Sequence, residues 1–152
     1  MQLKTLCGRP LLHGRWGPLI SGWIYDVWLD VAASRVAAFE ICESDRMQLR
    51  CIAPSTLRRS GHLGFRLDID PESWTQLDRA PRWTSVRSLE AVAVVCPDGE
   101  WSCGLADVEC DPETWRLLHF TVDRRRWRIF GQRRLPTDRI IKSGADVIVV
   151  VD

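Results

Sequence analysis

One basic segment of the chain has the residue types that bind phosphate and stack on nucleotide bases. It begins after Asp123 and continues to Arg134, and its candidate partner-binding residues are Arg124, Arg125, Arg126 and Trp127. Arginine beside an aromatic ring can pair with phosphate and stack on a base. The same charges also suit a solvated hairpin turn. We take the turn as the first interpretation of this segment, with RNA or an acidic protein surface as the alternatives.

Carboxylates occur where acid–base catalysis is conceivable, at Asp26 and Asp30 and again between Asp68 and Glu72. Such catalysis needs one carboxyl group with a raised pKa inside a pocket. Aspartate at a strand end is equally explained by local hydrogen bonds. The three histidines are scattered, at His13, His62 and His119. No serine or cysteine lies in a nucleophile motif, so we expect no catalytic residues.

The cysteines suit buried, reduced thiols better than a metal site. There are six, at Cys7, Cys42, Cys51, Cys96, Cys103 and Cys110. Structural zinc sites use short paired spacings such as C-x2-C, and the sequence has none. No secretion signal accompanies the cysteines, which favours free thiols over disulfides. We therefore expect no metal and no cofactor.

The composition describes a globular protein that is close to electrically neutral. Of 152 residues, 45% are hydrophobic and 27% are charged, and the net charge is +1. This balance gives no global attraction to nucleic acid or to an acidic membrane. No stretch reaches the roughly 20 apolar residues of a membrane span, and no targeting segment follows Met1. We expect a cytoplasmic protein, either free or peripheral on a membrane complex, without membrane insertion of its own.

The chain contains an internal repeat. An Asp-Val-x-x-Asp sequence occurs at Asp26–Asp30 and again at Asp107–Asp111, a spacing of 81 residues (107 minus 26). The same spacing holds through the next predicted strand, and one extra residue then aligns Pro54 with Pro136. A fixed period indicates a repeated structural unit, here a duplicated small domain of about 65 residues.

Each repeat is predicted to be a series of short strands separated by turns. The predicted strands are Thr5–Leu12, Leu19–Asp30, Arg35–Cys42, Met47–Ala53 and His62–Leu67 in the first unit, and Val86–Val95, Ser102–Cys110, Arg116–Thr121, Trp127–Arg133 and Val147–Val151 in the second. We predict an all-β protein of two tandem small β-barrels, residues 1–68 and 83–152, joined by a linker at 69–82. Acidic residues and Pro71 predict a short helix over Pro71–Leu77 in this linker, with a flexible tether as the alternative.

Alternation along the strands predicts which side chains face the core. Tyr25, Val27 and Leu29 would point inward. Asp26, Trp28 and Asp30 would point outward, because unpaired carboxylates are not buried. Trp28, Asp26 and Asp30 on this face are therefore candidate partner-binding residues. Trp28 is the candidate anchor, since tryptophan is enriched at binding hot spots. The alternative is that Trp28 packs under the other unit or under the linker.

The next strand of each unit shows the same alternation. The expected inward residues are Ala37, Phe39 and Ile41, and Leu118, Phe120 and Val122. The expected outward residues are Ala38, Glu40, His119 and Thr121. A duplicated barrel should bury a shared seam, which some of the additional tryptophans would fill. The candidates for this role are Trp16, Trp23 and Trp101.

The pattern of each unit resembles the PRC-barrel family. This is the small β-barrel of the photosynthetic reaction-centre H subunit and of a ribosome-maturation factor. The family pattern Gly-x-x-x-Asp-Val-x-x-Asp is matched from Gly22 to Asp30 and, with one residue fewer, from Gly104 to Asp111. The missing residue predicts that the two copies bulge differently in this strand.

The resemblance implies a function without catalytic residues. It implies a non-enzymatic adaptor or assembly module that binds a protein partner in a larger complex, either photosynthetic or otherwise associated with a membrane. The alternative is an RNA- or ribosome-associated factor that uses the basic residues from Arg124 to Arg134. The oligomeric state stays open.

Overall fold

A computed structural model of the chain describes residues 1–13, 19–44, 47–60, 64–67, 75–95, 102–123, 132–143 and 147–150. Strands dominate these residues, and the helical elements among them are short 3-10 turns. The prediction of an all-β protein is therefore confirmed. The residues form two sheets, which follow one another along the sequence.

The first sheet has six strands in the spatial order β4-β3-β2-β1-β6-β5, and a short seventh strand pairs with β2. The strands are β1 (Pro10–His13), β2 (Leu19–Asp30), β3 (Arg35–Glu43), β4 (Leu49–Ile52), β5 (Leu57–Ser60), β6 (Gly64–Leu67) and the added β7 (Thr84–Ser85). β1 and β6 run parallel, and the other pairs are antiparallel. A 3-10 turn, η1 (Lys4–Leu6), precedes β1, and a second, η2 (Pro54–Thr56), joins β4 to β5.

The second sheet repeats this topology strand for strand. Its order is β11-β10-β9-β8-β13-β12, with β8 and β13 as the parallel pair. The strands are β8 (Ala93–Val95), β9 (Ser102–Cys110), β10 (Leu117–Asp123), β11 (Gln132–Pro136), β12 (Ile140–Ser143) and β13 (Val147–Val150). A 3-10 turn, η3 (Val86–Ala91), precedes β8, and another, η4 (Thr137–Arg139), stands where η2 stands in the first sheet.

Strand pairing gives the spacing of the repeat residue by residue. Phe39 lies opposite Val27, and Phe120 lies opposite Val108, which confirms the spacing of 81 in these strands. On the other side, Phe39 faces Ile52 while Phe120 faces Leu135, so the spacing rises to 83. The predicted spacing of 82 after the turn, which matched two prolines, was therefore wrong. The equivalent 3-10 turns begin at Pro54 and at Thr137, which are also 83 residues apart.

The two units bulge in the same way, contrary to the prediction. In β2, Tyr25 is an extra residue between two paired positions, and Ala106 is the extra residue at the equivalent point of β9. The glycine of the second unit, Gly104, is therefore equivalent to Trp23 and not to Gly22. The apparent deletion came from aligning two glycines that occupy different positions of the ladder.

Two of the predicted strands contain 3-10 turns. Residues 86–91 form η3 because the Ser85 hydroxyl accepts a hydrogen bond from the Arg87 N–H at 3.1 Å and caps the turn. Lys4–Leu6 likewise forms η1 ahead of β1. In the predicted linker helix, residues 75–77 have no helical structure, and residues 71–74 lie outside the described residues.

Each unit is completed by the opening segment of the other. We call Met1–Leu6 the first arm and Thr84–Ala91 the second arm. The first arm bridges β9, where Gln2 pairs with Glu109. The second arm pairs with β2, where Ser85 faces Trp28. The arms are themselves related by the spacing of 83, so the exchange is reciprocal.

The two sheets also meet directly at equivalent residues. Arg35 and Arg116, which are 81 residues apart, form an antiparallel bridge. Ser34 and Trp115 precede them, and both have a positive φ, at 50° and 58°. The bridge therefore joins equivalent positions of the two units in antiparallel orientation. The flanking backbone hydrogen bonds, each 2.9 Å long, run from the N–H of Val36 to the carbonyl of Trp115 and from the N–H of Leu117 to the carbonyl of Ser34.

The tryptophan that fills the seam is Trp115, which the sequence analysis did not select. Its ring meets Phe39 edge to face at a centroid distance of 4.8 Å and lies 5.7 Å from Phe65. A side chain of the second unit thus enters the core of the first, and the buried apolar residues of both sheets form one cluster. Trp23 is 40% exposed and does not fill the seam, while Trp16 and Trp101 lie outside the described residues.

Candidate functional site

The predicted acidic face of β2 is buried. Asp26 is 4% exposed and Asp30 is 3% exposed, and Glu40 on β3 is buried beside them. The prediction that Asp26 and Asp30 face solvent was therefore wrong. Residues 75–83, which we call the connecting segment, and the second arm cover this face and supply the polar partners that make burial of the carboxylates possible.

Asp26 is held by three donors. Its Oδ1 accepts hydrogen bonds from the N–H of Val27 at 2.7 Å and from the N–H of Arg87 at 3.2 Å. Its Oδ2 accepts the hydroxyl of Ser85. Asp107 repeats the first contact, accepting the N–H of Val108 at 2.7 Å. These aspartates fasten an arm to a strand in each unit and belong to the structural framework.

Asp30 and Glu40 pair with arginines of the connecting segment. Arg82 donates to Asp30 Oδ2 at 3.0 Å, and Arg79 Nη1 lies 3.6 Å from Glu40 Oε1. The Arg79 guanidinium also lies 5.0 Å from the centroid of the Trp28 ring. Trp28 is half-buried beneath it, as in the alternative interpretation of this residue. The three predicted partner-binding residues of β2 are thus engaged within the chain.

The alternation on the second strand of each unit is confirmed at Phe39, Ile41, Phe120 and Val122 and is wrong at several other positions. Phe39 and Phe120 are buried as predicted, but Ala38, predicted to face outward, is fully buried. Thr121, also predicted outward, is buried as well. Leu118, predicted inward, is 39% exposed, because the register shifts between Leu117 and His119.

The predicted basic site lies largely beyond what the structure describes. Arg124, Arg125, Arg126 and Trp127 are outside the described residues. At the far end of the segment, Arg134 pairs with Glu109 on the neighbouring part of the sheet. His119 Nδ1 lies 3.6 Å from the same carboxylate. The described end of the basic segment is therefore tied to the surface of its own unit.

A different surface of the first unit exposes large apolar side chains. We call it the β2–β4 apolar surface, and its members are Ile20, Trp23, Tyr25, Met47 and Leu49. Trp23 pairs with Cys42, and Cys42 pairs with Leu49, so the three form one row across three strands. Cross-strand partners share a face of the sheet. Trp23 at 40% exposure and Leu49 at 46% therefore stand on the same side, in contact with solvent.

The second unit forms the same ladder without these apolar residues. Its register places three other residues at the positions of Trp23, Cys42 and Leu49, namely Gly104, Asp123 and Gln132. The strand order and the pairing are unchanged by this replacement. The row of apolar side chains is therefore not a requirement of the fold.

The described thiols are free, and three of them are poor nucleophiles. Cys7, Cys42, Cys51 and Cys110 form no disulfide. Burial raises the pKa of Cys7 and Cys51, and it raises the pKa of Cys110 to about 12. Within the described part of the chain, no group of three metal-ligating side chains comes together.

The raised pKa of Cys110 predicts its behaviour towards alkylating reagents. The thiolate is the reactive form, so at pH 8 we expect Cys110 to resist iodoacetamide in the folded protein and to react once the protein is unfolded. Mass spectrometry of the alkylated peptides measures both states. Rapid alkylation of Cys110 in the folded protein would contradict the described packing.

No helix among the described residues is long and apolar enough to cross a membrane. No protein-family model matches the chain, and no curated protein matches it in sequence.

Proposed function

We propose that the chain is a non-enzymatic adaptor that binds a protein partner within a larger assembly, and that its two sheets are tandem PRC-type barrels. The repeated strand order supports the second part of the proposal, and the β2–β4 apolar surface carries the first. A membrane-associated assembly, photosynthetic or other, is the proposed setting.

Trp23 and Leu49 give the first unit exposed apolar surface that a partner can bury. Burial of one large apolar side chain contributes about 1.5–3 kcal/mol, and the unit leaves several such side chains in water. Apolar patches on an otherwise polar surface are typical of protein interaction sites. Tryptophan adds to this because it is enriched among the residues that dominate binding energy.

The composition of the edge of this surface also suits a protein interface. The Arg87 guanidinium lies 4.5 Å from the centroid of the Tyr25 ring, and both side chains are exposed. An apolar centre with a charged, solvent-accessible rim is the usual anatomy of an interface between proteins. The row of Trp23, Cys42 and Leu49 runs across three neighbouring strands, which gives a partner a continuous surface to dock on.

The test replaces the apolar row while keeping the fold. In the double variant Trp23→Ser with Leu49→Ser, we expect partner recovery from a nuclease-treated native lysate to fall at least about tenfold. The matched control is Leu118→Ser, because Leu118 is an exposed leucine of the second sheet at 39%. Circular dichroism verifies that all variants are folded.

Two outcomes would contradict the adaptor proposal. One is equal recovery of the partner by the double variant and by the control. The other is an association that disappears with nuclease and with Arg125→Ala plus Arg126→Ala, but not with the double variant. The second outcome would favour the RNA-associated alternative.

A further inference from the structure

Two arginines stand face to face where the sheets meet. Arg35 and Arg116 are direct partners in an antiparallel bridge. The backbone hydrogen bonds lie on the residues before and after them, so they form a non-hydrogen-bonded pair. This is the closer of the two antiparallel pairings, with Cα atoms about 4.5 Å apart, and it brings side chains together on one face.

The bridge between Arg35 and Arg116 places two positive charges directly opposite one another. Like charges directly opposite one another destabilise a sheet. Both side chains are exposed, and among the residues described neither guanidinium forms an ion pair. Arg79 and Arg82, by contrast, each pair with a buried carboxylate. Arginine nevertheless occupies this position in both units.

A cleft opens beside the pair. Its volume is about 840 Å³, and its walls come from the η2 region of the first unit and from the turn before Arg116 in the second. Val36 and Leu57 give it a buried apolar floor, and Arg35 and Thr114 stand on its rim. Small-molecule sites have volumes in this range and combine apolar surface with polar groups that orient the ligand.

The charges around the cleft favour an anionic ligand. Arg35 and Arg58 line it, and Arg116 stands beside Arg35, against the single lining carboxylate of Glu113. Two adjacent guanidiniums match a dianion, and arginine binds phosphate through paired hydrogen bonds of fixed geometry. The apolar floor adds room for an organic group next to the phosphate.

We propose that this cleft binds a small organic phosphate, with the phosphate between Arg35 and Arg116 and the organic part against Val36 and Leu57. The bound dianion would offset the repulsion between the two arginines. This site is separate from the β2–β4 apolar surface, and the proposal does not depend on the adaptor function.

Phenyl phosphate is a suitable probe, since it has a phosphate and an apolar ring. Titration calorimetry with the full chain should show binding that weakens at least about tenfold in Arg35→Gln and in Arg116→Gln, because each loses a charge-assisted hydrogen bond. Ser55→Glu adds a negative charge to the cleft lining and should weaken binding while leaving both arginines in place. Arg9→Gln, an exposed arginine outside the cleft lining, should bind like the wild type.

Thermal unfolding adds a readout that a purely structural role would not produce. Without phosphate, each glutamine variant should melt at or above the wild-type temperature, because the like-charge contact is gone. With phenyl phosphate, the melting temperature of the wild type should rise, and those of the two variants should rise less at the same ligand concentration.

Three results would overturn the proposal. The first is the absence of binding at millimolar phenyl phosphate. The second is an equal loss of binding in Arg9→Gln, which would indicate general charge attraction only. The third is binding of inorganic phosphate as tight as that of phenyl phosphate, which would remove the role of the apolar floor.

Discussion

Replacing Trp115 by alanine is expected to lower the free energy of unfolding by about 3–5 kcal/mol, the usual cost of deleting a buried aromatic side chain. Trp115 is 6% exposed. It packs on Phe39 and Phe65 of the first unit although it belongs to the second. Alanine would leave a cavity in the first core and would also weaken the attachment between the units. Urea denaturation followed by circular dichroism measures the loss.

The matched control for this substitution is Leu118→Ala, three residues along the chain. Leu118 is exposed, so its truncation should change the free energy of unfolding by no more than about 0.5 kcal/mol. A cost below about 1 kcal/mol for Trp115→Ala would contradict the proposed seam. Separation of the single transition into two would show that Trp115 couples the unfolding of the units.

Asp26→Ala is expected to cost about 3 kcal/mol, because it leaves one buried and two partly buried donors without this acceptor. The N–H groups of Val27 and Arg87 and the hydroxyl of Ser85 all donate to this carboxylate. Denaturant unfolding again gives the cost. A double-mutant cycle with Ser85→Ala isolates the contact between strand and arm, and we expect a coupling of about 1 kcal/mol or more.

The second unit supplies an internal comparison for Asp26. Asp107 occupies the equivalent position and accepts the N–H groups of Val108 and Lys4, but it is only half-buried. Asp107→Ala should therefore cost less than Asp26→Ala, at about 1–2 kcal/mol. The reverse order would mean that burial of the carboxylate does not set the cost.

The sequence predicted the repeat because its strongest signals are local. Asp26, Val27 and Phe39 lie in neighbouring strands, and the spacing of 81 to their counterparts needs no knowledge of distant contacts. The spacing after the turn was harder to predict. Insertions there shift the pairing, and the two prolines that appeared to correspond are not equivalent, because Pro54 begins a 3-10 turn and Pro136 ends a strand.

The burial of Asp26 and Asp30 could not be predicted from alternation. Their partners, Ser85 and Arg82, lie more than fifty residues away in sequence, so the strand by itself indicated an unpaired carboxylate that should face water. For the same reason the burial of Trp115 could not be predicted, since its counterpart in the first unit is the small polar residue Ser34. Its role follows from the meeting of two sheets and from no pattern within one strand.

For the β2–β4 apolar surface, too, the sequence indicates the residue types but not which of them are exposed. The chemistry of Trp23 and Leu49 is visible in the sequence, but their exposure follows from which face the connecting segment covers. Trp28 and Trp23 lie on the same strand, and only one of them is covered. Choosing between them required the path of residues 75–83, which no periodicity indicated.

The exchange of arms has a consequence for how the protein is made. Domains usually fold one after another as they leave the ribosome. Here the first sheet lacks two of the three donors to Asp26, those of Ser85 and Arg87, until the second arm has been synthesised. The first arm has no strand to join until β9 emerges. We therefore expect the nascent chain to finish both halves together, late in translation, and to expose unfinished apolar surface until then.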